Sequence, residues 1–208
     1  MKPLNLDLHL VTDRNLSLGR DLLDIVQAAL QGGVSVVQLR EKECATREFV
    51  ELGRAVSSLL RHSSVPLLIN DRVDVALAVG ANGVHIGQSD MPYADARRLL
   101  GPDAIIGLSV ESETHALEAE ALDVDYLGLS PVFTTPTKSE LKEQLGLEGV
   151  ANIRRVSRHR LVAIGGIHCE NVSAILKSGA DGVAVVSAIC SASDPLQATQ
   201  QLQRQIAL

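Results

Sequence analysis

The stretch Ser178-Gly179-Ala180-Asp181-Gly182-Val183 ends one periodic segment on a glycine and opens a β-branched run four residues later. The same phrase stands at Val79-Gly80-Ala81-Asn82-Gly83-Val84, in shortened form at Gln31-Gly32-Gly33-Val34, and without glycine at Leu122-Asp123-Val124-Asp125-Tyr126. Glycine after helical periodicity suits a left-handed helix ending. The apolar runs that follow suit strands buried on both faces of a parallel sheet. Working outward, the spacing predicts strands at Asp7–Val11, Val34–Leu39, Pro66–Ile69, Gly83–Ile86, Ala104–Leu108, Tyr126–Leu129, Leu161–Ile164 and Gly182–Val185. Helices are expected between them at Arg20–Gln31, Thr46–Arg61, Arg72–Val79, Tyr93–Leu100, Ser112–Leu122, Leu147–Arg158, Asn171–Lys177 and Leu196–Ala207. Eight such βα cycles predict an α/β fold, one (β/α)8 TIM barrel spanning residues 1–208. A doubly wound open sheet is also compatible with the alternation.

Composition narrows the function classes. With 19 basic and 25 acidic residues in 208, the formal charge of −6 lacks the basic field that a phosphate backbone requires. Phe49, Phe133, Tyr93 and Tyr126 are the only aromatics, too few to stack successive bases. Nucleic acid and membranes are therefore not expected partners. Asp7 and His9 interrupt the apolar N-terminal stretch, which denies it a signal-peptide core, and no apolar run approaches the roughly 18 residues of a membrane span. A cytoplasmic location is expected. Cys44, Cys169 and Cys190 are odd in number and lack CxxC spacing, so they are read as reduced packing residues. Nothing in the sequence fixes an oligomeric state.

A barrel of this kind places its active site at the C-terminal ends of the strands. The residues expected there are polar: Gln38, Arg40 and Lys42 after the second strand, Asn70 and Asp71 after the third, His85 and Asp90 with the fourth, and Ser109 after the fifth. Thr135, Thr137 and Lys138 follow the sixth, Gly165-Gly166 the seventh and Val186-Ser187 the eighth. Arg40, Lys42 and Lys138 are cations suited to a polyanion. Asp71 and Asp90 are hard oxygen ligands, and magnesium is commonly held by one or two carboxylates with phosphates and water completing its shell. The glycine pair and the Val186-Ser187 backbone suit a monophosphate. The aperiodic stretch Ser130–Gly146 is a candidate lid.

Plainer readings compete. Asp71 and Asp90 each precede a helical segment and could be N-caps. Arg40 and Lys42 could be solvated or ion-paired surface charges, and the glycine pair a simple turn. His85, inside an apolar strand, reads as a hydrogen-bonded structural group, so no catalytic histidine is assigned.

Five phrases in register resemble the thiamine-phosphate synthase family along nearly the whole chain: Val37-Gln38-Leu39-Arg40-Glu41-Lys42, Asn70-Asp71-Arg72-Val73-Asp74, Gly83-Val84-His85-Ile86-Gly87-Gln88-Ser89-Asp90, Thr135-Pro136-Thr137-Lys138 and Ala163-Ile164-Gly165-Gly166-Ile167. The resemblance implies coupling of 4-amino-5-hydroxymethyl-2-methylpyrimidine diphosphate with 4-methyl-5-(2-phosphoethyl)thiazole, or its carboxylated form, to give thiamine phosphate and pyrophosphate. It implies that Gln38, Arg40, Lys42, Asn70 and Lys138 hold the pyrimidine diphosphate, with Ser109 near the leaving group. Lys138, Ser109 and Arg40 would carry the catalysis. Asp71 and Asp90 would bind one Mg²⁺ per active site, and Thr135, Thr137, Gly165, Gly166, Val186 and Ser187 would receive the thiazole phosphate. Glu111 stands where many relatives place histidine. A thiazole tautomerase of the same fold and a non-catalytic phosphometabolite-binding protein are the alternatives. The tautomerase has no diphosphate to neutralise and gains nothing from the acidic pair and its cations.

Overall fold

The structure, a computed structural model, describes residues 4–134 and 144–208. Strands β1 (Leu8–Val11), β2 (Val36–Leu39), β3 (Leu67–Asn70), β4 (Gly83–Ile86), β5 (Ile105–Val110), β6 (Tyr126–Leu129), β7 (Leu161–Ile164) and β8 (Gly182–Val185) close in sequence order into a parallel barrel. The last strand pairs with the first, Leu8 opposite Val183. Closure leaves no unpaired strand edge. The intervening helices are α1 (Leu22–Gly32), α2 (Thr46–Leu60), α3 (Val73–Val79), α4 (Tyr93–Leu100), α5 (Glu113–Ala119), α6 (Gly146–Val156) and α7 (Val172–Lys177), followed by α8 (Ser187–Cys190) and α9 (Pro195–Ile206). This is the (β/α)8 barrel expected from the repeats. Among the described residues no helix is long and apolar enough to cross a membrane.

Alternation along each strand divides the core in two. Leu8, Leu10, Val37, Leu39, Leu67 and Ile69 point outward and pack under the helices. Val36, Leu68, Tyr126, Val162 and Ala184 fill the barrel interior with Leu6. Each fully buried Leu, Ile or Val contributes on the order of 1.5–3 kcal/mol. The inward set turns polar near the C-terminal ends, where Gln38, Asn70, His85, Ser109 and Ser130 face a common cavity. One barrel thus carries an apolar floor and a polar mouth.

The recurring phrases acquire a second meaning in three dimensions. Ser35, Asn82, Asp125 and Asp181 each sit just before a strand and clamp the strand before it at two points. The Asn82 amide donates to the Leu67 carbonyl at 2.9 Å, and its Oδ1 accepts from the Leu67 amide at 2.9 Å. Ser35 clamps Leu8 in the same way, Asp125 clamps Ile106, and Asp181 clamps Leu161. The clamps join β1–β2, β3–β4, β5–β6 and β7–β8, so alternate strand pairs are secured at the N-terminal face. Gly83 and Gly182 open their strands for a steric reason. A Cβ at either would lie 1.8 Å from the carbonyl oxygen of Ile105 or Leu6.

Four strands, β4, β6, β7 and β8, have the bounds read from the sequence. Strand β5 runs two residues further, so Ser109 lies inside it rather than after it. Helix α5 is shorter than the Ser112–Leu122 expectation at both ends: Ser112 is its N-cap, accepting from the His115 amide at 3.2 Å, and Glu120 is its C-cap. The 3₁₀ turn Asn15–Ser17 and helix α8 are additions, each too short to show periodicity. Of the cysteines, Cys190 is buried and Cys44 half-buried, whereas Cys169 is exposed and so is not the packing residue expected. Burial pushes the Cys190 thiol up to about 11.

Candidate active site

The cavity at the C-terminal end brings together nine of the expected residues, Gln38, Arg40, Asn70, His85, Ser109, Gly165, Gly166, Val186 and Ser187, which come from six strands or the loops that follow them. Gln38 and Asn70 are buried. Arg40 is gripped twice. Its amide donates to Thr12 Oγ1 at 3.0 Å, and its Nη1 donates to Asp13 Oδ2 at 3.0 Å. Asp13 is itself fixed, since its Oδ1 accepts from the Asn15 and Leu16 amides at 3.0 and 3.1 Å. The guanidinium is therefore held at the cavity rim in an ion pair, so of the plainer readings the ion-paired one stands and the freely solvated one does not. Lys42, from the same loop, pairs with Asp71.

Asp71 has a φ of +63°, and the Arg72 amide closes a tight turn onto the Asn70 carbonyl at 2.7 Å. A left-handed non-glycine residue at a strand end is the kind of strain that functional sites hold. Neither Asp71 nor Asp90 caps a helix: Arg72 and Pro92 occupy the N-cap positions of α3 and α4, without side-chain caps. The capping reading is thereby corrected; the chain needs two further residues to enter α4, which displaces Asp90 from the cap. Its Oδ2 instead accepts from the Gly87 amide at 2.6 Å. Burial, and the Asp71 side chain beside it, push the Asp90 carboxyl above the usual carboxylate range, partly offset by the Gly87 amide and Lys42. A carboxyl raised by burial beside a second carboxylate forms a site that a divalent cation would relieve. Among the described residues no group of three or more His, Cys, Asp or Glu could hold a metal. The pair thus suits an ion whose remaining ligands come from phosphate and water.

Ser109 is oriented from beneath. Its Oγ lies 2.8 Å from His85 Nε2, and His85 Nδ1 lies 3.0 Å from the Tyr126 hydroxyl. Both imidazole nitrogens are thus engaged, in keeping with the hydrogen-bonded structural role expected of His85. The Tyr126 ring stacks on His85 with centroids 5.5 Å apart. Burial, with Asp125 nearby, raises the Tyr126 hydroxyl pKa against a weaker opposing effect of Gln38, so the phenol stays protonated. The ring fits because Gly107 faces it; a Cβ there would lie 2.2 Å from Tyr126 Cζ. Glu111, two residues beyond Ser109, ends up half-buried between β5 and the Ser112 cap.

On the opposite wall, Gly165 and Gly166 have φ of +108° and +63°. A Cβ on Gly166 would lie 2.8 Å from both Phe133 Cβ and the Thr134 carbonyl oxygen, so the turn requires glycine on two counts. Asn171 staples it, donating to the Gly166 carbonyl at 2.9 Å while its Oδ1 accepts from the His168 amide at 2.9 Å. The turn faces Ser187 at the start of α8, where the Ile189 and Cys190 amides donate to the Val186 carbonyl at 3.2 and 2.8 Å. Thr135, Thr137 and Lys138 lie outside the described residues, as does most of the candidate lid. Sequence reading missed Thr12, Asp13, Tyr126 and Asn171. Only Asp13, one loop residue past a strand end, carried a positional signal.

Comparison with known proteins agrees with this architecture. The family profile described as thiamine monophosphate synthase matches residues 8–189. The thiamine-phosphate synthase of Albidiferax ferrireducens is 53% identical over 201 residues, covering 97% of this chain and 92% of that protein. That of Syntrophomonas wolfei is 54% identical over 187 residues, covering 90% of each. The solved structure of a thiamine phosphate pyrophosphorylase from Pyrococcus furiosus superimposes with a TM-score of 0.90 at 40% identity, covering 99% of this chain and 97% of that one. On a profile match across most of its length and relatives sharing half its residues, the chain belongs to the thiamine monophosphate synthase family.

Proposed function

We propose that the protein condenses 4-amino-5-hydroxymethyl-2-methylpyrimidine diphosphate with 4-methyl-5-(2-phosphoethyl)thiazole, or with its carboxylated form and release of CO2, giving thiamine phosphate and pyrophosphate. The observation that carries this reading is one cavity with two different anion sites. Arg40 lines one side, with the paired Lys42 and Asp71 and the neighbouring Asp90 beyond it outside the cavity lining, and the Gly165-Gly166 turn with Ser187 lines the other. Two phosphorylated small molecules can then meet across the mouth of the barrel.

The reaction breaks the bond between the pyrimidine methylene carbon and the diphosphate oxygen, which leaves with the electron pair. The thiazole nitrogen lone pair then forms the new carbon–nitrogen bond. No proton need be removed, which accords with a site whose one cavity-side histidine–serine pair is locked in structural hydrogen bonds. The chain's task is charge stabilisation and orientation. Arg40, braced by Asp13, presents a fixed fork to the diphosphate. Ser109, oriented by His85, offers its hydroxyl beside the leaving oxygen. Gln38 and Asn70 hold the pyrimidine end deeper in the barrel, while the glycine turn and Ser187 anchor the thiazole phosphate. Asp71 and Asp90 would hold Mg²⁺, which when bound neutralises part of the charge on the departing diphosphate. Lys138 is assigned to the same diphosphate and Thr135 and Thr137 to the thiazole phosphate, by family resemblance.

Incubating purified protein with both substrates and Mg²⁺ tests the proposal. Thiamine phosphate should accumulate, detected by fluorescence after oxidation, and EDTA should abolish it. Binding of thiazole phosphate without product would move the assignment to a tautomerase or a binding protein.

A further inference from the structure

The reaction described above leaves a buried histidine of the cavity unused. His9, on β1, is fully buried and lines the cavity floor with Gln38, His85 and Tyr126. Neither of its ring nitrogens has a hydrogen-bond partner among the described residues. Its ring stands edge-on to Tyr126, with centroids 5.3 Å apart and an interplanar angle of 81°. Buried polar atoms in native proteins are almost always paired, so an imidazole with both nitrogens orphaned at the base of an active-site cavity calls for an explanation. His85, on the same floor, satisfies both of its own.

Burial, reinforced by His85 and Arg160, lowers the His9 pKa to about 3. The ring is therefore neutral at physiological pH and presents one N–H donor and one bare nitrogen acceptor. That pairing complements a heteroaromatic ring bearing an amino group and ring nitrogens, and being uncharged it offers an anion no counter-charge. The cavity is polarised the same way. Arg40 stands at its rim, with Lys42 on the same loop beyond it, and its floor is built of flat rings beside glycines, where a Cβ on Gly128 would lie 2.7 Å from His85 Cε1.

We propose that His9 is a specificity-determining residue that hydrogen-bonds the aminopyrimidine ring of the diphosphate substrate, an inference that rests on the proposed function. Diphosphate outward and ring inward is the orientation that satisfies the rim and the floor together. His9 then selects the heterocycle, while Arg40 and its neighbours bind the charge.

His9→Phe keeps a planar ring and removes both nitrogens. The expected result is a KM for the pyrimidine diphosphate raised at least 10-fold, with the KM for thiazole phosphate unchanged within two-fold. Ligand-free Tm should be equal or higher, because an unpaired polar group has left the core. A second measurement uses the wild-type protein, whose six histidines make ¹⁵N imidazole spectra tractable. The His9 nitrogens should shift on adding the pyrimidine diphosphate and not on adding inorganic pyrophosphate. An unchanged KM for the pyrimidine diphosphate in His9→Phe, or unmoved His9 resonances, would overturn the inference while wild-type turnover left the function standing. Wild-type protein that makes no thiamine phosphate would overturn both.

Discussion

Replacing Gly166 by alanine tests whether the turn after β7 is a phosphate site or only a bend. At φ +63° an alanine pays roughly 1–2 kcal/mol for the left-handed conformation. Its Cβ would also sit 2.8 Å from Phe133 Cβ and from the Thr134 carbonyl oxygen, and overpacking of that kind costs about 1–3 kcal/mol. The sum, about 2–5 kcal/mol, is reduced to the extent that the turn moves to relieve the contact. In a domain of this size each kcal/mol lowers Tm by roughly 2–4 °C, so calorimetry should show a drop of about 5–15 °C. Moving the turn also disturbs the backbone amides that face the phosphate. Loss of one charge-assisted hydrogen bond, about 1.5–3 kcal/mol, raises the KM for thiazole phosphate on the order of 10- to 150-fold. Initial rates measured against each substrate at saturating levels of the other separate the effects. The KM for the pyrimidine diphosphate should stay within about two-fold, since its proposed ligands lie on other strands. A lower Tm with an unchanged KM for thiazole phosphate would refute the reasoning and leave Gly166 a structural turn.

Two further predictions concern the opposite end of the barrel. Asn82→Ala removes the Oδ1 that accepts from the buried Leu67 amide and should cost roughly 1–3 kcal/mol in chemical denaturation, with kcat/KM nearly unchanged; a large loss of activity would show that the clamp serves the site and not the barrel. Glu120 accepts from Ser157 Oγ at 2.7 Å, the Arg158 amide at 3.0 Å and Arg158 Nε at 2.9 Å. Burial alone would raise this carboxyl, but those hydrogen bonds together outweigh it and hold the pKa down to about 2. Because the unfolded chain takes up the proton first, the contribution of Glu120 is complete above about pH 4.5 and lost as the pH falls toward 2. Glu120→Gln should flatten the stability–pH curve within that window, and superimposable curves for variant and wild type would contradict the assignment.

The repeat structure made the barrel legible because strand and helix periodicities alternate along the chain and several of the junctions carry a glycine. What escaped was decided across the chain. The clamps made by Ser35, Asn82, Asp125 and Asp181 depend on which strand lies alongside, and nothing in the local phrase reveals that. The ends of the strands pointed to the cavity, and Gln38, Arg40, Asn70 and Ser109 do meet there. The capping expectation for Asp71 and Asp90 failed because a cap requires a particular backbone geometry as well as a residue type. Asp71 has a positive φ instead, and Asp90 folds back onto Gly87. His9 gave no sign in the sequence, since a histidine in an apolar strand looks like any satisfied core residue. Its orphaned nitrogens become visible only once the barrel closes around them.

The central claim is that the carboxylates at the ends of β3 and β4 and the nearby cations form one Mg²⁺-dependent cradle for a diphosphate. Calorimetric titration of wild-type protein and of Asp71→Asn/Asp90→Asn with the pyrimidine diphosphate, with and without Mg²⁺ and without the thiazole, tests it most directly. The account predicts that Mg²⁺ tightens binding to the wild type by at least about 10-fold, a difference of roughly 1.4 kcal/mol, and leaves the double variant unaffected. An equal response to Mg²⁺ in the two proteins would contradict it.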